Sequence, residues 1–256
     1  SLRVRLALRI AKVDLNKAKT EAEAAVAAGL MSSNTHNASM LKSLSGNDTN
    51  GLAQVAVWNE FSMSSTMASY LKGYTDPRLE VYFQPSYTGK VFNSVRNGAT
   101  ATDLGNVRNQ SGSNSNVGTY WVRSNGAVIE GNFSQNFHVM CAAESFFLRA
   151  EGALNGWNMG GEAKQLYEEG IKTSMEQWGI TDAVQVSSYM ASNRVPAAPG
   201  DYHSSPAVAS TPVKWATSSA EQREQIGVQK WLAIYPNGME AWAEYRGTGF
   251  PKMNPQ

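Results

Sequence analysis

The segment from Cys141 to Trp178 constrains the fold of this chain more than any other, because it has the pattern of two amphipathic helices joined by a turn. Apolar residues recur at helical spacing in both halves, with charged residues on the opposite face. Asn155-Gly156 and Gly160-Gly161 interrupt the pattern between the halves. The segment therefore predicts one helical hairpin. The apolar stripe of its second helix comprises Ala163, Leu166, Tyr167, Gly170, Ile171, Ser174, Met175 and Trp178.

A second segment of this kind opens the chain, where LRVRLALRIAKVD is followed by LNKAKTEAEAAVAAGLM. Ala18, Ala22, Ala25 and Ala28 line one face of its second helix, and small residues let packed helices approach closely, as in tetratricopeptide (TPR) repeats. We therefore expect a mostly α fold of TPR-like helical hairpins with long irregular loop excursions and little sheet. The hairpins at about 2–28 and 141–178 are expected to pack side by side.

The C-terminal part of the chain also predicts helices. Ser218 and Glu221 have the spacing of a capping box at a helix start. Pro236-Asn237-Gly238 ends that helix, and a last short helix is predicted from Met239 to Arg246.

Three segments together resemble the SusD/RagB family of outer-membrane nutrient-binding lipoproteins. They are WNEFSMSSTMASYLKGYTDPRLEVYF at 58–83, FFLRAEGALNGWNMGGEAKQLYEEGIKTSMEQWG at 146–179 and QKWLAIYPNGMEAWAEYRGTGFP at 229–251. They occur in the family's order and, with the opening hairpin, cover well over half of the chain. One departure is visible: the family usually carries a second basic residue after Arg246, where this chain has Gly247.

The resemblance implies a function. It implies a protein anchored by lipid in the outer membrane, facing outward, that binds oligo- or polysaccharide and delivers it to a SusC-like TonB-dependent transporter. It implies no catalytic activity and no cofactor. It also implies that residues 1–256 form a single, partial SusD-like helical domain, because the signal sequence, the lipid-bearing Cys, an N-terminal helical portion and a C-terminal tail of the family are not found in this sequence.

Length and composition agree with a soluble globular protein. A chain of 256 residues with 42% hydrophobic content can bury roughly 70–75% of its unfolded surface. The net charge of +1 without a basic block argues against a nucleic-acid backbone or an anionic membrane surface as a partner. No apolar run reaches the roughly 18 residues of a membrane-spanning helix. The single cysteine, Cys141, excludes an internal disulfide and is interpreted as a small buried hydrophobe.

Residues 85–135 form a loop excursion within this domain, rich in Gly, Asn and Ser and poor in helical periodicity. Loops of this length in compact domains are usually functional or disordered. Aromatic rings beside amides suit a sugar, whose C–H face stacks on a ring while its hydroxyls need donors and acceptors. Tyr120 and Trp121 with Arg123 and Asn125 form the densest such cluster, and Tyr87 is the next candidate. Alternatively, residues 120–123 form a short strand with one face packed on the helices.

A second irregular segment, from Arg194 to Thr217, contains four prolines and is expected to wrap around the helical body. His203 lies within it, but His36 and His138 occur in unlike contexts far away in the sequence. No metal site is therefore predicted.

No nucleophile elbow, paired Cys/His spacing or phosphate loop is present. Glu60 with Asp76 is one pair of carboxylates of the kind that a glycosidase uses, but the sequence does not place the two groups together. Glu144, Arg149 and Glu151 are interpreted as surface pairs or helix–turn anchors, and Trp157 as a core residue.

Other function classes stay open beside glycan binding. They are a peptide-capturing member of the same family, a helical-repeat scaffold without a small ligand and, least favoured, a glycoside hydrolase.

Overall fold

The structure is a computed structural model that describes residues 1–44, 48–124 and 129–255. Eleven α-helices and four short β-strands lie within these residues. The helices are α1 (Leu2–Ile10), α2 (Leu15–Ala27), α3 (Gly51–Val57), α4 (Ser65–Tyr74), α5 (Leu79–Tyr82), α6 (Ala101–Leu104), α7 (Ala142–Leu154), α8 (Ala163–Gln177), α9 (Ala183–Met190), α10 (Ser219–Ala233) and α11 (Gly238–Thr248). The strands are β1 (Ala38–Met40), β2 (Val122–Ser124), β3 (Ile129–Gly131) and β4 (Phe137–Met140).

The chain divides into two compact units. Unit 1 comprises residues 1–39, 138–192 and 213–251, and it contains most of the helices. Unit 2 comprises residues 40–137, 193–212 and the chain from Lys252 onward. The mostly α fold with little sheet is confirmed, whereas the single-domain organisation stays a prediction.

Both predicted hairpins are present in unit 1. Helices α1 and α2 form the first hairpin, α7 and α8 form the second, and α1 packs on α7. The side-by-side packing is therefore confirmed. The predicted stripe of α8 is buried from Leu166 to Met175, with Ala163 and Trp178 half-buried at its ends.

Small residues lie at the helix crossings. Ala18, Ala22 and Ala25 are buried in α2, whereas Ala28 is exposed just beyond the helix end. In α8 a Cβ added at Gly170 would lie only 2.7 Å from the ring of Phe147. Close approach of α7 and α8 therefore depends on a residue without a side chain at this position.

Glu144 corrects one expectation. It was interpreted as part of a surface pair or as a helix–turn anchor, but it is buried on α7 and accepts two hydrogen bonds from Arg5 of α1, each 2.6 Å long. Burial raises the pKa of Glu144, and the guanidinium of Arg5 opposes that rise. The pair links the two hairpins inside the core. Arg149 is the expected helix–turn anchor, since it donates to the carbonyls of Met159 and Gly160.

The remaining predictions for unit 1 agree with the structure. Ser218 caps α10 by accepting a hydrogen bond from the backbone N–H of Glu221, and Trp157 is buried. Cys141 is buried as well. Burial raises the pKa of its thiol to about 12, so this group stays protonated at neutral pH.

Unit 2 is built around α4 and two long irregular segments. Residues 193–212 run along α4 so closely that a Cβ added at Gly73 would lie 2.3 Å from the backbone nitrogen of Ala197. The Ser69 hydroxyl donates to the Ala197 carbonyl at 2.6 Å, and the Tyr74 hydroxyl donates to the Thr211 carbonyl at 2.9 Å. The proline-rich segment is thus fixed on a helix of its own unit.

Asp76 and Arg78 form a fully buried ion pair after α4. Oδ1 of Asp76 accepts from the backbone N–H and from Nε of Arg78, both at 2.9 Å, and Oδ2 accepts from an Arg78 terminal nitrogen at 2.6 Å. The carboxylate of Asp76 is therefore interpreted as a structural group that stabilises the fold. It is not presented to solvent as the free acid or base that a glycosidase needs.

Candidate functional site

The candidate site is a groove in unit 2 that we name the Tyr87 groove. It encloses about 190 Å³. Most of the residues that line it are polar, including four with amide side chains, one lysine and one tyrosine. The lining residues are Asn59, Gln84, Pro85, Tyr87, Lys90, Ser111, Gly112, Asn114, Asn116 and Ile129.

Tyr87 supplies an aromatic surface to this groove. Its side chain is 51% exposed, and the ammonium of Lys90 lies 4.7 Å from its ring centroid on one face. A tyrosine held at the surface in this way combines a flat apolar ring with a hydroxyl group. Such a ring can cover the C–H face of a sugar while nearby polar groups bind its hydroxyls.

The amides of the groove are held in place by hydrogen bonds to the protein. Asn59 donates through Nδ2 to the Ser111 hydroxyl at 2.7 Å, and Gln84 donates through Nε2 to the Val117 carbonyl at 2.6 Å. Asn116 donates through Nδ2 to the Ala56 carbonyl at 3.0 Å. Because their donors are engaged, these side chains have fixed orientations, and a preorganised polar lining lowers the cost of ligand binding.

Asn114 is the most buried residue of the lining. Its Nδ2 donates to the carbonyls of Arg108 and Gln110 at 3.0 and 2.9 Å. Its Oδ1 has no hydrogen-bond partner within the described part of the chain, although the residue is only 3% exposed. A buried acceptor of this kind is costly unless a donor reaches it.

A second groove in unit 2, the Tyr202 groove, shares Asn114 with the first. It encloses about 180 Å³. Tyr202 is 36% exposed and lies beneath the guanidinium of Arg108, at 5.9 Å from the ring centroid. The other lining residues are Thr88, Asn93, Ser94, Ser113, Gly200 and Asp201.

Asp201 is a fixed part of the wall of the Tyr202 groove. Its carboxylate accepts from the backbone N–H of Ser205 at 2.9 Å and from the Ser65 hydroxyl at 2.6 Å. Burial alone raises the pKa of Asp201, but these hydrogen bonds outweigh it and the net pKa lies below the usual value. Asp201 is therefore ionised at neutral pH.

The structure separates the five residues predicted from the sequence. Tyr87 lines the groove that bears its name. Trp121 is only 1% exposed, with the half-buried ring of Tyr120 at 5.0 Å in an edge-on contact, and Arg123 is exposed on β2. Asn125 lies outside the described residues. A ligand-binding role for these residues stays a prediction, and the burial of Trp121 favours the alternative in which it packs in the core.

Several groove residues were missed in the sequence analysis. Asn59 follows α3, Gln84 follows α5, and Asn114 and Asn116 lie after a short 3-10 helix at Ser111–Ser113. Each is an ordinary amide in a segment rich in amides, so no local pattern marks it. Only the tertiary structure brings the four amides to one groove with Tyr87.

Neither a metal cluster nor a spanning helix is found in the part of the chain that the structure describes. No three His, Cys, Asp or Glu side chains are grouped there as metal ligands. None of the helices described is long and apolar enough to cross a membrane.

Comparison with known protein families supports the resemblance to SusD-like proteins. The sequence profile of the family described as "SusD-like: Susd and RagB outer membrane lipoprotein" matches residues 1–256. No curated protein sequence matches the chain. The resemblance inferred from the three sequence segments is therefore confirmed, and with it the outer-membrane lipoprotein family that was expected.

Solved structures agree with this assignment. A chitin-binding SusD homologue from Flavobacterium johnsoniae is 38% identical, with a TM-score of 0.85 over 99% of this chain and 51% of its own. A SusD homologue from Bacteroides vulgatus is 36% identical, with a TM-score of 0.82 over 99% of this chain and 50% of its own. A SusD homologue from Bacteroides thetaiotaomicron is 32% identical, with a TM-score of 0.83 over 99% and 51%. The chain spans about half the length of these relatives.

Proposed function

Because this chain belongs to the SusD-like family of outer-membrane lipoproteins, we propose that it binds a glycan through the Tyr87 groove and delivers it to a SusC-like TonB-dependent transporter. The observation that carries the binding proposal is the exposed ring of Tyr87 among oriented amide side chains. The transporter role rests on the family alone. It predicts that the lipid-anchored full-length protein co-purifies with a transporter of that class.

Oligomers of N-acetylglucosamine are the first ligands to test. One relative is described as chitin-binding, and chitin presents an acetamido group on every sugar. An acetamido group has one N–H donor, which a side-chain amide oxygen such as that of Asn59 or Gln84 can accept, and one carbonyl acceptor, to which the ammonium of Lys90 can donate. The net charge of +1 also fits an uncharged ligand.

Replacing Tyr87 by alanine is expected to weaken glycan binding by about 1–3 kcal/mol, on the scale of base stacking on aromatic side chains. The reason is that the ring covers one face of a sugar and excludes water from it. Isothermal titration of the wild-type and Tyr87→Ala proteins with a chitin hexasaccharide measures the change. The melting temperature should hardly change, because the ring is half exposed.

Trp242→Ala is the matched control for the loss of an exposed aromatic ring. Trp242 is 57% exposed and stacks on Tyr245 in unit 1, so its removal should leave glycan affinity unchanged. Equal losses of affinity in the two variants would show that the Tyr87 groove is not the site. Binding of peptides but not of any glycan on an array would support the peptide-capturing alternative instead.

We further propose that binding occurs without turnover. Hydrolysis of a glycoside needs two carboxyl groups held roughly 5–9 Å apart, and Asp76, one of the carboxylates considered, is engaged by Arg78. Incubation with the bound glycan should therefore release no new reducing ends. Release that disappears in a Glu60→Gln variant would overturn this proposal.

A further inference from the structure

We propose that the Tyr202 groove is a second sugar subsite that continues the Tyr87 groove, so that the protein binds an internal stretch of an oligosaccharide across both. The second subsite rests on the proposed function and predicts that the protein prefers longer oligosaccharides. The two grooves adjoin each other, because Asn114 lines both.

The side chain that forms the shared wall is fixed in place. Oδ1 of Asn114 is buried and accepts no hydrogen bond from the described residues. Its amide nitrogen is held by two backbone carbonyls, so the side chain is not free to rotate toward another donor. The wall between the two grooves is therefore preorganised, and a ligand that crosses it meets a surface whose shape is already fixed.

The two grooves also resemble each other in chemistry. Each has a partly exposed tyrosine beneath or beside a cation, with Lys90 at Tyr87 and Arg108 at Tyr202. Amides and hydroxyls surround both rings. A polysaccharide presents the same chemical groups at each repeat. Two similar grooves that share a wall therefore suit such a polymer better than a single sugar.

Arg108 provides donors in the second groove. Its hydrogen bonds to the carbonyls of Gly200 and Asp201 are long, at 3.5 and 3.4 Å, and a guanidinium has five N–H donors. The carboxylate of Asp201 is already bonded to Ser205 and Ser65. Arg108 can therefore turn donors toward ligand hydroxyls while Asp201 keeps the wall in place.

The test compares ligand length with the position of the substitution. Affinities for a chitin disaccharide and a chitin hexasaccharide are measured by titration calorimetry for the wild type and for Tyr87→Ala, Tyr202→Ala, Arg108→Gln and Trp242→Ala. The wild type should bind the hexasaccharide at least about tenfold more tightly, a difference of 1.4 kcal/mol. Tyr202→Ala and Arg108→Gln should remove most of that gain and leave disaccharide binding within about twofold.

Failure of this inference is distinguishable from failure of the proposed function. If Tyr87→Ala weakens both ligands while Tyr202→Ala changes neither, or changes both equally, the Tyr87 groove binds glycan and the second subsite is overturned. If the wild type does not distinguish the two lengths, the subsite is overturned as well. If neither ligand and no glycan on an array binds the wild type, the proposed function and the inference are both overturned. Trp242→Ala should match the wild type throughout.

Discussion

Replacing Trp121 by alanine is expected to destabilise the protein by about 3–5 kcal/mol, the cost of truncating a large buried aromatic side chain. Trp121 is 1% exposed and packs edge-on against Tyr120. Its removal leaves a cavity that neighbouring side chains fill only in part. Urea unfolding of the wild-type and Trp121→Ala proteins gives the difference directly.

The same variant also tests the stacking role that the sequence suggested for Trp121. A buried ring offers no face to a sugar, so the folded Trp121→Ala protein should keep its glycan affinity. Trp58→Ala is the control, since Trp58 is exposed in the same unit and its loss should change stability by no more than about 0.5 kcal/mol. If the Trp121→Ala protein has the same free energy of unfolding as the wild type but binds glycan more weakly, Trp121 belongs to the binding site.

The comparison of sequence and structure shows which features local patterns encode. The hairpins of unit 1 follow from apolar periodicity and from interruptions such as Asn155-Gly156, because one helix face must be buried whatever the neighbours are. Trp121 shows the opposite case. A tryptophan on a surface platform has the same side chain, and only the tertiary packing around residue 121 decides that this one is buried.

The site was harder to predict for a topological reason. Tyr87, Asn59 and Asn114 are separated by long stretches of sequence and come together through turns. Residue types alone indicated the loop between 85 and 135 as a candidate place for an aromatic ring beside amides. Which ring and which amides meet depends on long-range contacts that no periodicity encodes. The Tyr202 groove adds a third segment, residues 200–202, from the proline-rich loop.

The second large effect is expected at the ion pair of Asp76 and Arg78. Removing one partner of a buried pair leaves the other charge without compensation, which costs about 3–5 kcal/mol. Both side chains are fully buried and joined by two hydrogen bonds of 2.9 and 2.6 Å, and the backbone N–H of Arg78 donates a third to Asp76 at 2.9 Å. Asp76→Ala and Arg78→Ala should each destabilise unit 2 by that amount.

A double-mutant cycle separates the pair from its surroundings. The Asp76→Ala/Arg78→Ala protein should be less destabilised than the sum of the single variants, because it contains neither buried charge alone. Arg3→Ala is the control, since Arg3 pairs with Glu21 at the surface and exposed pairs contribute about 0–1 kcal/mol. If Asp76→Ala costs no more than Arg3→Ala, the pair is not a structural requirement. The carboxylate of Asp76 would then have to be reconsidered as a functional group.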